Sequence, residues 1–150
     1  MDLEMLTIDD IRLYIRDRPE LNRLLGDVEF TNEQIDQAMK LTVMCFNELS
    51  PKTQYTLENF PYQYTLLLGT LYHLLWGGGL SRMRNRLPYK AGDVQVDDEA
   101  HGQEEMQLSQ QLYQQFMNAA ISNKIEENVN AGWGIINSEY YYGNFWYRTR

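Results

Sequence analysis

Apolar positions along the chain recur at helical spacing, in runs separated by clear start and stop signals. Thr7-Ile8-Asp9-Asp10 supplies a hydroxyl cap and two acids in a first turn, where the helix dipole favours them, and Ile8, Ile11 and Ile15 give one apolar side. After Arg18 the pattern restarts. Pro19 suits a first helical position, Leu21, Leu24 and Leu25 form a short stripe, and Gly26 stops it, which predicts a second, short helix. Thr31 and Gln34 then form a capping box, with Phe30 and Ile35 spaced as a hydrophobic staple. From Ile35 the inward positions Ala38, Met39, Thr42, Phe46 and Leu49 repeat at about 3.6 residues until Ser50-Pro51 ends the helix.

Lys52 to Asn59 reads as a loop, and Pro61 as a first-turn residue of a helix that carries Tyr64, Leu67, Leu68, Leu71, Leu74 and Leu75. A helix apolar on most sides belongs in the middle of a core. Gly77-Gly78-Gly79 lowers helix propensity by about 1 kcal/mol per residue relative to alanine. Leu80, Met83 and Leu87 nevertheless resume the spacing beyond it, so the helix is predicted to continue through the glycines, where close packing favours residues without side chains. Leu87-Pro88-Tyr89-Lys90 and Val94-Gln95-Val96 are short extended runs around Ala91-Gly92-Asp93, which predicts a small β-hairpin or extended flap. Asp97, Asp98, Glu99, Glu104 and Glu105 open a last long helix with Leu108, Leu112, Phe116, Ala119 and Ala120 inward and Gln107, Gln110, Gln111, Gln114 and Gln115 outward, reaching Asn128 or Asn130 before Gly132 releases the chain. The fold class is mainly α: a helical bundle over residues 1–131, followed by an extended C-terminal arm over 132–150.

That arm is the least ordinary part of the chain. Six of the eight residues from Tyr140 to Tyr147 are aromatic: Tyr140, Tyr141, Tyr142, Phe145, Trp146 and Tyr147. Each such side chain buries roughly 150–250 Å² once it finds a surface. The segment therefore either folds back on its own domain or serves another chain, and Gly132, Gly134, Asn137, Ser138, Gly143 and Asn144 suit an extended arm for another chain.

Composition narrows the function. The chain has 150 residues, 43% hydrophobic and 23% charged, which fits one globular domain with a core. A net charge of −8 disfavours gripping of phosphate backbones, which needs an excess of Lys and Arg, while DNA sliding past an acidic surface stays compatible. Cys45 is alone and sits in an apolar helical pattern, which predicts a buried thiol in a reducing compartment. Met1-Asp2-Leu3-Glu4 lacks the basic start of a secretory signal, so no export is expected. Leu66 to Trp76 is too short for a membrane span of roughly 20 residues and is interrupted by Gly69, Thr70 and His73.

Little in the sequence points to catalysis or cofactors. His73 and His101 are far apart and Cys45 has no nearby partner, so no metal-ligand spacing occurs. The acids from Asp97 to Glu105 lack the alternating ligands of a calcium loop and read as a helix N-terminal charge cluster. No nucleophile elbow is found, and the glycine triplet neither follows a strand nor precedes a Lys-Ser or Lys-Thr pair. Neither an enzyme nor a cofactor is expected. Arg82, Arg84 and Arg86 spread over more than one helical face, and with Lys90, Asp97, Asp98 and Glu99 they are candidates for charge pairing between subunits, which fixes register more than affinity.

A particular order of parts emerges from these strings. A capped helix is followed by a core helix with small residues ending in Arg84-Asn85-Arg86-Leu87-Pro88-Tyr89, then by a turn at Gly92-Asp93 into Val94-Gln95-Val96. A long helix with Phe116, Lys124 and Asn128 comes next, then Gly132-Trp133-Gly134 and an aromatic arm. From about Thr31 to Gly134 this resembles the head-to-tail adaptor (connector) proteins of tailed bacteriophages. The resemblance implies a structural virion protein of the neck, assembled in the host cytoplasm as a homo-oligomeric ring, usually of twelve copies, beneath the portal. Genomic DNA would pass through the ring without sequence-specific binding and without any membrane contact. A C-terminal arm would dock on the portal, here Tyr140, Tyr141, Tyr142, Phe145, Trp146, Tyr147, Arg148 and Arg150, while other loops would receive the next neck or tail protein. The alternatives are another neck or tail-completion protein, or a non-viral helical binding module.

Overall fold

The computed structural model describes residues 5–22, 26–84, 89–91, 94–96 and 98–132, with the stretch from 89 to 102 described as backbone. It is mainly helical, with α1 at Ile8–Ile15, α2 at Asn32–Glu48, α3 at Gln63–Arg84 and α4 at Asp98–Asn130. Tyr89–Ala91 (β1) runs antiparallel to Val94–Val96 (β2), with Lys90 opposite Gln95.

Local chemistry fixes the helix starts. The Thr7 hydroxyl accepts the Asp10 N–H while the Asp10 carboxylate accepts the Thr7 N–H. Thr31 and Gln34 make the same reciprocal pair at α2. Each box satisfies two backbone donors that a helix end otherwise leaves without partners. The segment after Arg18 departs from expectation. Pro19–Leu21 is a turn with Leu21 exposed, and Leu24 and Leu25 lie outside the described residues. The buried Asp17 carboxylate organises this stretch, accepting the N–H groups of Glu29 (2.6 Å) and Phe30 (3.0 Å), the Asn22 amide (2.6 Å) and the Arg12 guanidinium (2.9 Å). Four donors converging on one carboxylate bring Asn22, Glu29 and Phe30 together at the end of α1. Burial works to raise the Asp17 pKa, but these donors hold it below the ordinary carboxylate value.

Between Glu48 and α3 the chain makes a single 3-10 turn at Leu57–Asn59. Pro61 stands just ahead of α3, where the Gln63 side chain accepts from Leu6 N–H (2.9 Å) and donates to the Phe60 carbonyl (2.6 Å). Helix α3 is central, packing against α1, α2 and α4. Its buried positions are Thr65, Leu66, Leu68, Gly69, Thr70, Leu71, Leu74 and Gly79, whereas Tyr64 points to solvent. The core joins these to Ile11, Ile35, Met39, Val43, Phe46, Phe60, Phe116 and Ala120.

The tightest point of the core is Gly69. A β-carbon there would stand 2.2 Å from the Thr42 methyl on α2 and 3.0 Å from the Phe116 ring on α4. Thr42 has little freedom to retreat, because its buried hydroxyl donates to the Ala38 carbonyl at 2.8 Å. Three helices therefore meet over a residue without a side chain.

The helix does continue through the glycine triplet to Arg84. The packing reason applies unevenly across it. Gly79 is buried and Gly78 lies in ordinary contact with Phe30, while a β-carbon on Gly77 would meet nothing within 4 Å. Two further positions correct the sequence reading. Leu108 is half exposed and Ser109 takes the inward place on α4, one residue along the wheel. Cys45 lies on the exposed side of α2, because Thr42, Val43 and Phe46 take the inward positions around it.

Gly77→Ala should raise stability by about 1 kcal/mol, since alanine is the better helix former and the site is open. Urea denaturation of the purified chain measures this, and a loss of stability would show that an unobserved neighbour fills the space.

Candidate assembly surfaces

At one end of the α3–α4 pair, Arg82 forks. Its guanidinium donates to Glu105 on α4 and to Glu29 in the loop before α2. The side chains are only partly sheltered, so the clamp fixes geometry more than it adds stability. The Arg82 charge is thus engaged within the subunit. Arg84 is exposed two residues on. Lys90 lies on β1, and Asp98 and Glu99 lie in the first turn of α4, while Arg86 and Asp97 fall outside the described residues. Of the charges expected to meet between subunits, the structure brings Arg82 together with acids of its own chain.

Beside the clamp runs an open groove of about 660 Å³ between α2 and α3, with Phe30, Leu41, Leu74 and Trp76 on its walls and Gly77 and Gly78 opening its floor. Glu29, Glu33 and Arg82 stand among its lining residues. His73 also borders it, with Nε2 3.9 Å from the Cys45 sulfur. Partial shelter pushes the Cys45 thiol up and the His73 imidazole down. Both shifts favour neutral forms, the opposite of what an activated thiolate requires. Among the described residues no group of three His, Cys, Asp or Glu side chains is placed to hold a metal ion.

At the other end of the pair, the last turns of α4 hold a polar cluster that the sequence reading did not assign. Lys124 is buried on α4, donating to the Pro51 carbonyl (2.9 Å) and the Thr53 hydroxyl (2.6 Å), with its ammonium 4.2 Å from the centre of the Phe46 ring. Burial pulls its pKa down and Glu127 pulls it back up. Glu127, one turn on, accepts the Tyr55 hydroxyl at 2.6 Å and the Tyr62 hydroxyl at 2.8 Å. Asn47 completes the network, donating to the Tyr55 carbonyl and accepting from Tyr55 N–H and the Thr53 hydroxyl. Around it, Phe46, Tyr55, Phe60 and Tyr62 meet ring to ring at centroid distances of 5.0–6.0 Å. The signal was present in the sequence, since Lys124 stands four residues after Ala120 and eight after Phe116, in the inward register. A long aliphatic stem ending in a donor suits such a site.

This cluster fastens the loop after α2 to the end of α4 and so fixes where α4 stops. Gly132 follows in the left-handed region, at φ 72°, with its N–H bonded to the Val129 carbonyl at 3.1 Å. That arrangement is a helix stop for which glycine is suited. Tyr140, Tyr141, Tyr142, Phe145, Trp146, Tyr147, Arg148 and Arg150 lie outside the described residues. No helix among the described residues is long and apolar enough to cross a membrane.

Tyr55 carries a pKa pushed up to about 12, first by its bond to Glu127 and then by burial. A phenol whose folded pKa exceeds its unfolded value contributes stability that is present below about pH 10 and lost as pH rises to about 12. Lys124, held low, works in the opposite direction, with stability rising as pH climbs towards the ordinary lysine value of 10.5. Tyr55→Phe should therefore cost about 1 kcal/mol at neutral pH and flatten the alkaline fall in stability. Urea denaturation as a function of pH tests this; an unchanged alkaline slope would remove Tyr55 from the linkage. Comparison of the chain with protein-family models, with curated proteins and with solved structures finds no match.

Proposed function

We propose that this chain is a structural subunit of a bacteriophage neck, a helical adaptor that assembles head-to-tail as a ring between portal and tail, surrounds the DNA channel and catalyses nothing. One observation carries the reading: six aromatics in eight residues follow the end of a long helix with nothing in their composition suited to solvent. Rigid aromatic side chains are frequent interface anchors, and they offset the several kcal/mol lost when an arm is ordered on binding.

Three further features support it. The acidic balance of the chain suits a channel along which DNA slides without sticking. The glycine stop at Gly132 ends the helix ahead of the aromatic segment. With Arg82 engaged inside the subunit, pairing between copies falls to Arg84, Arg86 and Lys90 against Asp97, Asp98 and Glu99. The segment around β1 and β2, as a flap, offers a second contact for the next neck or tail protein. A non-viral binding module is the second reading, favoured by the open apolar groove beside Trp76.

Removal of residues 138–150 should leave a helical, folded domain that no longer retains the portal protein of the same virus in a pull-down. Retention at full strength would refute the docking role of the arm, and circular dichroism of the truncated chain guards against loss by misfolding.

A further inference from the structure

The outward side of α4 changes character along its length. Gln107, Gln110, Gln111, Gln114 and Asn118 are exposed polar residues, and then Ile121, Ile125 and Val129 follow at one-turn spacing, 47%, 58% and 66% exposed. Around the helix from core-facing Ala120 and Lys124, Ile121 lies at the flank, Ile125 further round and Val129 opposite Ala120, with exposure rising in the same order. Their β-branched side chains also make poorer helix formers than the glutamines before them. Neither helix formation nor the subunit core accounts for their presence.

A second apolar surface stands on α1. Leu13 and Tyr14 are 59% and 60% exposed, Leu13 on the side away from buried Ile11 and Tyr14 one turn after Ile11 at its flank, and Leu21 is exposed in the turn that follows. The charges beside the two surfaces differ in balance. Arg16 and Arg18 are exposed just past the end of α1 and outnumber the exposed Glu20 next to Leu21, whereas Glu126 is exposed beside Ile125 on α4. Asp9 and Asp10 lie at the far end of α1, Asp10 being held by the Thr7 cap. Helix α1 packs on α2 and α3, and α4 packs on α3, so the surfaces face outward from different helices.

We infer that these surfaces are the two halves of a heterologous contact between copies of this chain: Ile121, Ile125 and Val129 with Glu126 on one copy meet Leu13, Tyr14 and Leu21 with Arg16 and Arg18 on the next. The inference rests on the ring reading and specifies its flanks. A face that meets a different face of the next copy propagates head-to-tail and closes when the rotation fits. Complementary charges at the rim of an apolar contact fix its register.

Sedimentation velocity of the full chain over a concentration series, with Ile125→Glu and Leu13→Glu, tests it. Each variant should weaken self-association by roughly tenfold or more. Both changed positions are exposed, and circular dichroism should report unchanged helix content. Mixing the two variants should restore a dimer and nothing larger, because one retains the α1 surface and the other the α4 surface. Wild-type oligomers that persist unchanged in Ile125→Glu, or a mixture that stays monomeric, would overturn the assignment and leave the ring reading standing. Oligomers abolished only by removing residues 133–150 would assign the contact to the arm, also overturning it. A wild-type chain monomeric throughout the series would overturn the ring reading and the contact together.

Discussion

The missing side chain at Gly69 sets the spacing of the three long helices. Helix α3 approaches α2 so closely that the Thr42 methyl occupies the place a β-carbon would need, and Phe116 of α4 closes the same gap from the other side. Thr42 is locked by its bond to the Ala38 carbonyl, so the contact has a definite shape rather than an adjustable one. Packed interiors transmit such constraints because they hold few voids. Further along α4, Asn123 donates to the Thr65 hydroxyl of α3 at 2.8 Å, Lys124 reaches the loop at Pro51, and Glu127 accepts from Tyr55 and Tyr62 in the segment ahead of α3.

That arrangement bears on function through stiffness. The α3–α4 pair is pinned near one end by the Arg82 fork and near the other by the Lys124 and Glu127 cluster, with Gly69 between. Ion pairs that are partly exposed add little stability, but they choose one geometry among several. A helix held this way presents its outer residues as a fixed ridge, and Ile121, Ile125 and Val129 stand on it. In the proposed ring, such a ridge would let neighbouring copies meet in one register. The groove beside Trp76 is open, and the Cys45–His73 pair near it is shifted toward neutral forms.

Much of the fold was legible in the sequence where the cause is local. The capping boxes at Thr7 and Thr31, the inward face of α2 and the passage of α3 through three glycines all follow from neighbouring residues and helical spacing. What escaped depends on other elements. Gly69 reads as an interruption in an apolar run, since nothing nearby reveals that Thr42 and Phe116 converge there. Lys124 stands in the inward register of α4, but its acceptor, the loop carbonyl of Pro51, comes from another element. Cys45 and Leu108 each fall one position off the buried face, where spacing alone distinguishes poorly between in and out. Asp17, whose backbone donors come from residues twelve and thirteen positions further on, could not be read from its neighbours, and two of the leucines expected in the short helix after Pro19 lie outside the described residues. The site proposed from composition, the aromatic arm, has its argument in residue types and lies outside the described structure.

The close contact at Gly69 is the claim on which the placement of α4 and its outer ridge depends, and a double-mutant cycle between Gly69→Ala and Thr42→Ala measures it. Helix propensity alone would make Gly69→Ala stabilising by about 1 kcal/mol. The account predicts instead a loss of about 1–3 kcal/mol from overpacking, reduced by at least about 1 kcal/mol when Thr42 is already alanine. A Gly69→Ala chain more stable than wild type, or a cost identical in both backgrounds, would contradict it.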